Sequence, residues 1–260
     1  MDRLRFYLVF IIGFVIYFYI DTNFFTLILK QIFIVTHSKA VGHVVAYGIT
    51  LIPLFMTVGV LHKDYRNISE KLGISKGIWT ATLFALITTL PMLIGFIVKF
   101  PLNKELSFDT IIVNTISSAF FEEVIYRAFL FGQLYRYTRL GFFPSVFLGS
   151  LLFGSAHLYQ GNDINELIGI FAMTFSGSVL FAWVYAEWKF NLWTAIFLHC
   201  FMNLYWLIFD VDTNVLGGTY SNFFRFLTII IAIFCTVIYK INKQFPFEIN
   251  RKTWWMKRSA

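Results

Sequence analysis

The feature that most constrains this chain is a succession of long apolar runs separated by short polar segments, at residues 4–20, 41–61, 78–98, 108–135, 143–157, 166–185, 190–209 and 222–239. Crossing a bilayer as a helix takes about 20 predominantly apolar residues. Eight such runs therefore predict an all-α fold, a polytopic membrane helix bundle of about eight transmembrane helices. The fifth run is short and the fourth carries charge. The share of charged residues, 13%, and of hydrophobic ones, 58%, excludes an ordinary soluble domain, where the values are roughly 25% and 45–50%. Little is left over for a second domain, so residues 1–260 are expected to form a single integral membrane domain.

The first run resembles a secretion signal only superficially. It is longer than a usual signal core, and Asp21-Thr22-Asn23 follows it where small residues would mark a cleavage site, so a retained helix is expected. The stretch 24–35 is shorter and contains Lys30, which suggests an interfacial or re-entrant helix. Cys200 and Cys235 both lie inside apolar runs and read as small core hydrophobes, with no disulfide framework. Ser150 with Gly154, and Ala172 with Ser176, have the four-residue spacing of close helix crossings.

An even number of crossings places both termini on one side. With the termini inside, fifteen of the 21 Lys and Arg residues fall in inner segments. Only Lys30, Lys39, Lys99 and Lys104 fall outside, and Arg127 and Arg225 lie within runs. Cytoplasmic segments of membrane proteins carry this excess, so the expected setting is the plasma membrane with both termini cytoplasmic. The net charge of +7 is thereby explained by orientation, and no nucleic-acid partner is implied. The basic cytoplasmic tail at 240–260 pairs Trp254 and Trp255 with Lys252, Lys257 and Arg258, the composition of an anchor on anionic lipid. His37, His43 and His62 sit at run edges and read as interfacial or solvated.

Ionisable residues inside apolar runs are costly, at least about 2.5–3.5 kcal/mol near the bilayer centre, and mark function by default. Three runs carry them: Glu122, Glu123 and Arg127 in the fourth, His157 at the end of the fifth, and His199 with Asn203 in the seventh. On a regular helix Glu123 and Arg127, four apart, can pair, whereas Glu122 lies about 140° round the axis from Arg127. Glu122 is then the carboxylate left free to accept and return a proton. His199 and Asn203, also four apart, project from one face. Measured from the inner ends at about 1.5 Å per residue, Glu122 lies about 21 Å up, His157 about 22 Å and His199 about 15 Å, close enough to share a layer.

The ordered set Glu-Glu-x-x-x-Arg (Glu122, Glu123, Arg127), Phe-x-x-x-His (Phe153, His157) and His-x-x-x-Asn (His199, Asn203) resembles the CAAX protease and bacteriocin-processing family, also called the Abi family. The resemblance covers about residues 108–205. It implies an eight-helix intramembrane endopeptidase of the glutamate type. Glu122 and His157 would bind and activate a water, His199 and Asn203 would stabilise the tetrahedral oxyanion, and Glu123 and Arg127 would hold the first carboxylate in place. The implied substrate is a membrane-associated peptide or protein, either a prenylated CAAX tail or, in bacteria, a pheromone, bacteriocin or leader peptide.

Glu122, His157 and His199 would also suffice as three zinc ligands. However, no His-Glu-x-x-His helix is present and the resemblance implies metal-independent chemistry, so no metal or cofactor is expected. A non-catalytic role, as a regulator or bacteriocin-immunity partner of another membrane protein such as a sensor kinase, is the alternative. An ion-coupled transporter would call for inverted repeats and broken helices in matching halves, which the sequence lacks.

Overall fold

The computed structural model describes residues 3–257, so Arg258 lies outside the described residues. The protein is an all-α membrane bundle, and its main helices are α1 (Arg3–Thr36), α2 (Lys39–His62), the short α3 (Ile68–Leu72), α4 (Ile78–Lys99), α5 (108–137), α6 (Phe142–Ala156), α7 (Ile164–Glu187), α8 (Leu192–Ile208) and α9 (Thr219–Asn242). Six of these, α1, α2, α4, α6 with its following turn, α7 and α9, are long and apolar enough to cross a membrane. The apolar α8 and the continuous helical element α5 complete the eight runs seen in the sequence.

Helix ends follow local chemistry. Asp163 accepts from the backbone N–H groups of Asn165 and Glu166 to start α7, and Asn191 accepts from Trp193 N–H to start α8. Pro53, which lacks an N–H, lies where α2 breaks and restarts at Ile52. The expected separate helix at 24–35 is not formed: α1 runs unbroken for 34 residues, about 51 Å at 1.5 Å per residue. No Gly or Pro interrupts residues 14–41, and the polar triplet that suggested a stop is satisfied within the fold. Asp21 accepts from the Thr50 hydroxyl at 2.9 Å, and the Asn23 amide donates to the Tyr19 carbonyl at 2.7 Å. α1 and α2 cross closely at Gly13, where an added Cβ would lie 2.0 Å from Thr57 Oγ1.

α5 is not a regular α-helix. Its turns at Ile112–Ser117 and Glu123–Phe131 are wound as π-helix, and the α-turn Ser118–Glu122 lies between them. The Ser118 hydroxyl donates to the carbonyl of Val113, five residues back, and the backbone N–H of Gly132 likewise reaches the Arg127 carbonyl. π-turns inside helices concentrate at functional sites.

The connecting segments fall into two cross-linked groups. At one end Arg136 donates to the Lys71 carbonyl (2.6 Å), Asn191 to the Gly77 carbonyl (3.0 Å), and the Leu192 N–H to the Gly73 carbonyl (2.9 Å). At the other, Ser38 donates to Asp109 (2.8 Å), the Asn103 N–H to the Ile208 carbonyl (2.8 Å), and the Val215 N–H to Gln160 (3.0 Å). These are the two sets that the charge count separated, so the chain alternates between ends as eight crossings require.

The tail folds back on the basic end. Buried Glu187 pairs with Lys240 and accepts from the N–H groups of Glu248 (3.1 Å) and Ile249 (2.8 Å). The carbonyls of Trp255, Thr253 and Trp254 accept from the N–H groups of Gly141, Phe142 and Phe143, satisfying donors that a helix N-terminus leaves open. Lys257 donates its backbone N–H to the Arg139 carbonyl at 2.8 Å. Trp255 remains largely exposed, so the segment docks on the bundle and leaves this indole free.

His43 and His62 depart from the solvated reading. His43 Nδ1 lies 2.8 Å from the Ser117 hydroxyl, and His62 Nε2 lies 2.7 Å from Gln133 Oε1. Of the small-residue positions, Ser150 donates to the Ser178 hydroxyl at 3.0 Å, and Gly154 faces the Phe171 ring so closely that a Cβ would sit 2.9 Å from it. α6 and α7 therefore meet where the spacing indicated.

Candidate functional site

Within the bundle, the middle of α5 brings its acids against α8. Arg127 Nε lies 3.1 Å from Glu123 Oε2, both side chains being essentially inaccessible. The guanidinium is walled by aromatic faces, Phe153 at 4.3 Å, Phe181 at 5.4 Å and Tyr126 at 5.9 Å from the ring centroids. The negative faces of these rings partly replace lost hydration, and Nη1 and Nη2 have no protein acceptor.

Glu123 holds more than the arginine. Its Oε1 is 2.8 Å from His199 Nδ1, so the carboxylate bridges a guanidinium on its own helix and an imidazole on another. This contact was not foreseen from the sequence, in which the two residues lie 76 apart. The only hint was that Glu123 and His199 belong to the same ordered set, in its first and third motifs. The Glu123 bond leaves His199 Nε2 facing Glu122, whose Oε2 is 4.0 Å away. Glu122 is partly accessible, with 20% of its side chain exposed. Its Oε2 is nonetheless buried and accepts no hydrogen bond from the protein. The 140° separation reckoned for a regular helix does not hold in a wound-out segment; the division of labour comes instead from what each acid touches.

His157 closes α6. Its Nδ1 donates to the Phe153 carbonyl at 2.7 Å, which leaves Nε2 as the lone-pair nitrogen of the neutral ring. Phe153 links it to the rest: the ring lies 4.4 Å from the imidazole of His157, 6.4 Å from that of His199 and 5.0 Å from the Tyr126 ring. Asn203, one turn beyond His199, donates from Nδ2 to the Asn114 carbonyl at 3.2 Å, in the first π-wound stretch of α5. Thus Glu122, Glu123, Arg127 and His199 are in one cluster and Phe153 connects His157 to it. Neither His157 nor Asn203 hydrogen-bonds Glu122. Among the described residues, no group of three or more His, Cys, Asp or Glu side chains is arranged to hold a metal ion.

The fold and the cluster together define a polytopic membrane protein with a carboxylate and imidazole site inside its bundle. Residues 104–205, which contain every one of these side chains, match the family described as type II CAAX prenyl endopeptidase, Rce1-like. The chain is also 35% identical over 102 residues to the Bacillus subtilis (strain 168) protein named "Putative membrane peptidase YdiL". That alignment covers 39% of this chain and 37% of the relative's length. No solved structure matches. The likeness to these membrane peptidases is thus carried by a core that makes up 39% of the chain.

Proposed function

We propose that this protein is an intramembrane endopeptidase of the CAAX/Abi type, hydrolysing a peptide bond in a membrane-associated peptide or protein. The observation that carries this reading is the different engagement of the two acids: Glu123 is held by the hydrogen bond to His199 and the ion pair with Arg127, while Glu122 makes neither contact and faces His199 Nε2 at 4.0 Å. A general base needs that availability, and its neighbour needs that restraint.

The chemistry follows from the donors and acceptors present. A water placed between Glu122 and His157 gives one proton to the Glu122 carboxylate, directs the other O–H at His157 Nε2, and attacks the peptide carbonyl carbon through its oxygen. The C=O π bond breaks and negative charge collects on that oxygen. Asn203 has two amide N–H groups and uses one on the Asn114 carbonyl, so the second is available to the oxyanion. With Nδ1 held by Glu123, His199 turns Nε2 toward the reacting centre, where it donates when that nitrogen carries a proton. Collapse of the tetrahedral intermediate breaks the C–N bond, and Glu122 returns its proton to the leaving amine. The C=O bond re-forms as the C–N bond breaks, and the products are one carboxylic acid, which still carries the second water proton and passes it to His157 Nε2, and one amine. The low-dielectric surroundings strengthen each of these donors.

Glutamate-type, metal-independent catalysis, the plasma membrane setting and cytoplasmic termini belong to the same proposal. So does the domain reading: one integral membrane domain with its catalytic core at about 108–205. The short connecting segments leave membrane-bound peptides, such as pheromone, bacteriocin or leader peptides, as the preferred substrates over prenylated tails. The test compares peptides released from membranes of cells making the native protein or Glu122→Ala at equal abundance. Species dependent on the native residue are expected. An identical peptide profile, with cellular function retained, would reject catalysis and favour the role of a non-catalytic partner to another membrane protein.

A further inference from the structure

At the end opposite the Glu122 cluster, a cavity of about 280 Å³ opens where the start of α1 meets the turn between α5 and α6. Three arginines line it, Arg3 from α1 and Arg136 and Arg139 from the turn, together with Tyr7, Tyr137 and Thr138. No carboxylate lines it, although Glu70 is among the charged neighbours of Tyr137.

Part of the wall is held in place by contacts within the fold. Arg136 lies over the rings of Tyr137 (4.9 Å) and Phe190 (4.8 Å), and its Nη1 is tied to the Lys71 carbonyl. The Arg139 backbone is fastened by the tail through Lys257, and the Thr138 hydroxyl donates to the Leu134 carbonyl at 2.6 Å. The guanidinium groups of Arg3 and Arg139 have no carboxylate partner among the described residues, and both residues are exposed. Three guanidinium groups at one end of the bundle, one of them fixed, with Tyr7 and Tyr137 beside them, suit a planar or tetrahedral oxyanion, and guanidinium pairs well with phosphate. The cavity also lies at the end where the basic residues gather, the end that attracts anionic headgroups.

We propose that this cavity binds a phosphate anion, carried by the headgroup of an anionic phospholipid or free in solution. The site is independent of the peptidase reading, because none of its residues touches the Glu122 cluster.

The full chain, purified in neutral detergent, is titrated with short-chain phosphatidylglycerol, with phosphatidylcholine of the same chains, and with inorganic phosphate, following thermal stability and bound lipid by native mass spectrometry. Saturable binding of phosphatidylglycerol in preference to phosphatidylcholine is expected, since three arginines repel the choline cation. The double variant Arg3→Gln/Arg139→Gln should weaken it about tenfold or more, at roughly 1 kcal/mol per cation. Arg136 is left intact because it also supports the Lys71 turn. Competition by inorganic phosphate would assign recognition to the phosphate group alone, and its absence would assign it to the lipid headgroup; both sustain the site. Equal binding of the two lipids, or undiminished affinity in a double variant that melts like the native protein, would overturn it. Should the double variant fail to fold, the native protein decides: binding must weaken as ionic strength rises from about 0.1 M to 1 M, where the screening length shrinks from about 10 Å to 3 Å, and salt-insensitive binding would overturn the proposal.

Discussion

Glu122 and Glu123 are adjacent in sequence and identical in type, yet their surroundings predict opposite responses to mutation. The Glu122 side chain makes no hydrogen bond to the described residues, only a 4.0 Å approach to His199, so Glu122→Gln should abolish peptide cleavage while leaving the melting transition nearly unchanged. Glu123 neutralises a fully buried arginine, and removing one partner of such a pair costs about 3–5 kcal/mol. Glu123→Ala should therefore lower thermal stability by that amount and lose activity with it. The double variant Glu123→Leu/Arg127→Met should recover most of the stability without recovering turnover, because His199 has lost the acceptor that orients it. A melting curve beside a cleavage assay separates the three cases. Metal-independent hydrolysis adds that a strong chelator should leave turnover unchanged; loss of activity restored by zinc would reassign Glu122, His157 and His199 as ligands. The four-residue spacing of Glu123 and Arg127 was legible in the sequence because it depends on one helix alone. The bridge from Glu123 to His199 was not, since it depends on how α5 and α8 are rotated against each other, and hydropathy gives no rotation.

At the scale of elements, apolar length located the helices but not their continuity or winding. Asp21-Thr22-Asn23 looked like a boundary because its partner, Thr50, lies on another helix. The π-turns of α5 were hidden for a similar reason: they arise from five-residue backbone hydrogen bonds such as Ser118 N–H to the Val113 carbonyl, which leave no hydrophobic period. The tail shows the converse, since its basic and indole residues announced a membrane surface but not that its carbonyls would cap α6. That cap has a functional consequence, because α6 carries Phe153 and His157 at its far end. A chain ending at Asn250 loses the three carbonyls that receive Gly141, Phe142 and Phe143. At about 1 kcal/mol for each capping bond, it should be less stable by roughly 3 kcal/mol. Glu187→Ala should act more strongly, leaving Lys240 buried without its partner, and should release the tail to trypsin at Arg251 and Lys252. A tail as protease-resistant in Glu187→Ala as in the native protein would show that the strap is held by something other than this acid.

For the whole molecule, charge and connectivity agree: the segments rich in Lys and Arg are hydrogen-bonded together at one end, and those poor in them at the other. The Glu122 cluster does not sit midway between the ends. His157 terminates α6 beside the 158–163 turn, and Asn203 reaches the start of α5, both nearer the end that holds few basic residues. If the basic end faces the cytoplasm, as the charge rule requires, the site lies closer to the outer surface and meets exported or outer-leaflet peptides. Single cysteines test this in intact cells, in a background where Cys200 and Cys235 are replaced by Ala. Asn162→Cys, exposed in the turn after His157, should react with a membrane-impermeant maleimide without permeabilisation. Arg66→Cys, exposed between α2 and α3, should react only after it. The reverse pattern would turn the site toward the cytoplasm, and with it the choice between exported peptides and cytosolic prenylated tails. Labelling of both positions from one side would contradict the even number of crossings itself, since residues 66 and 162 lie at opposite ends of the bundle.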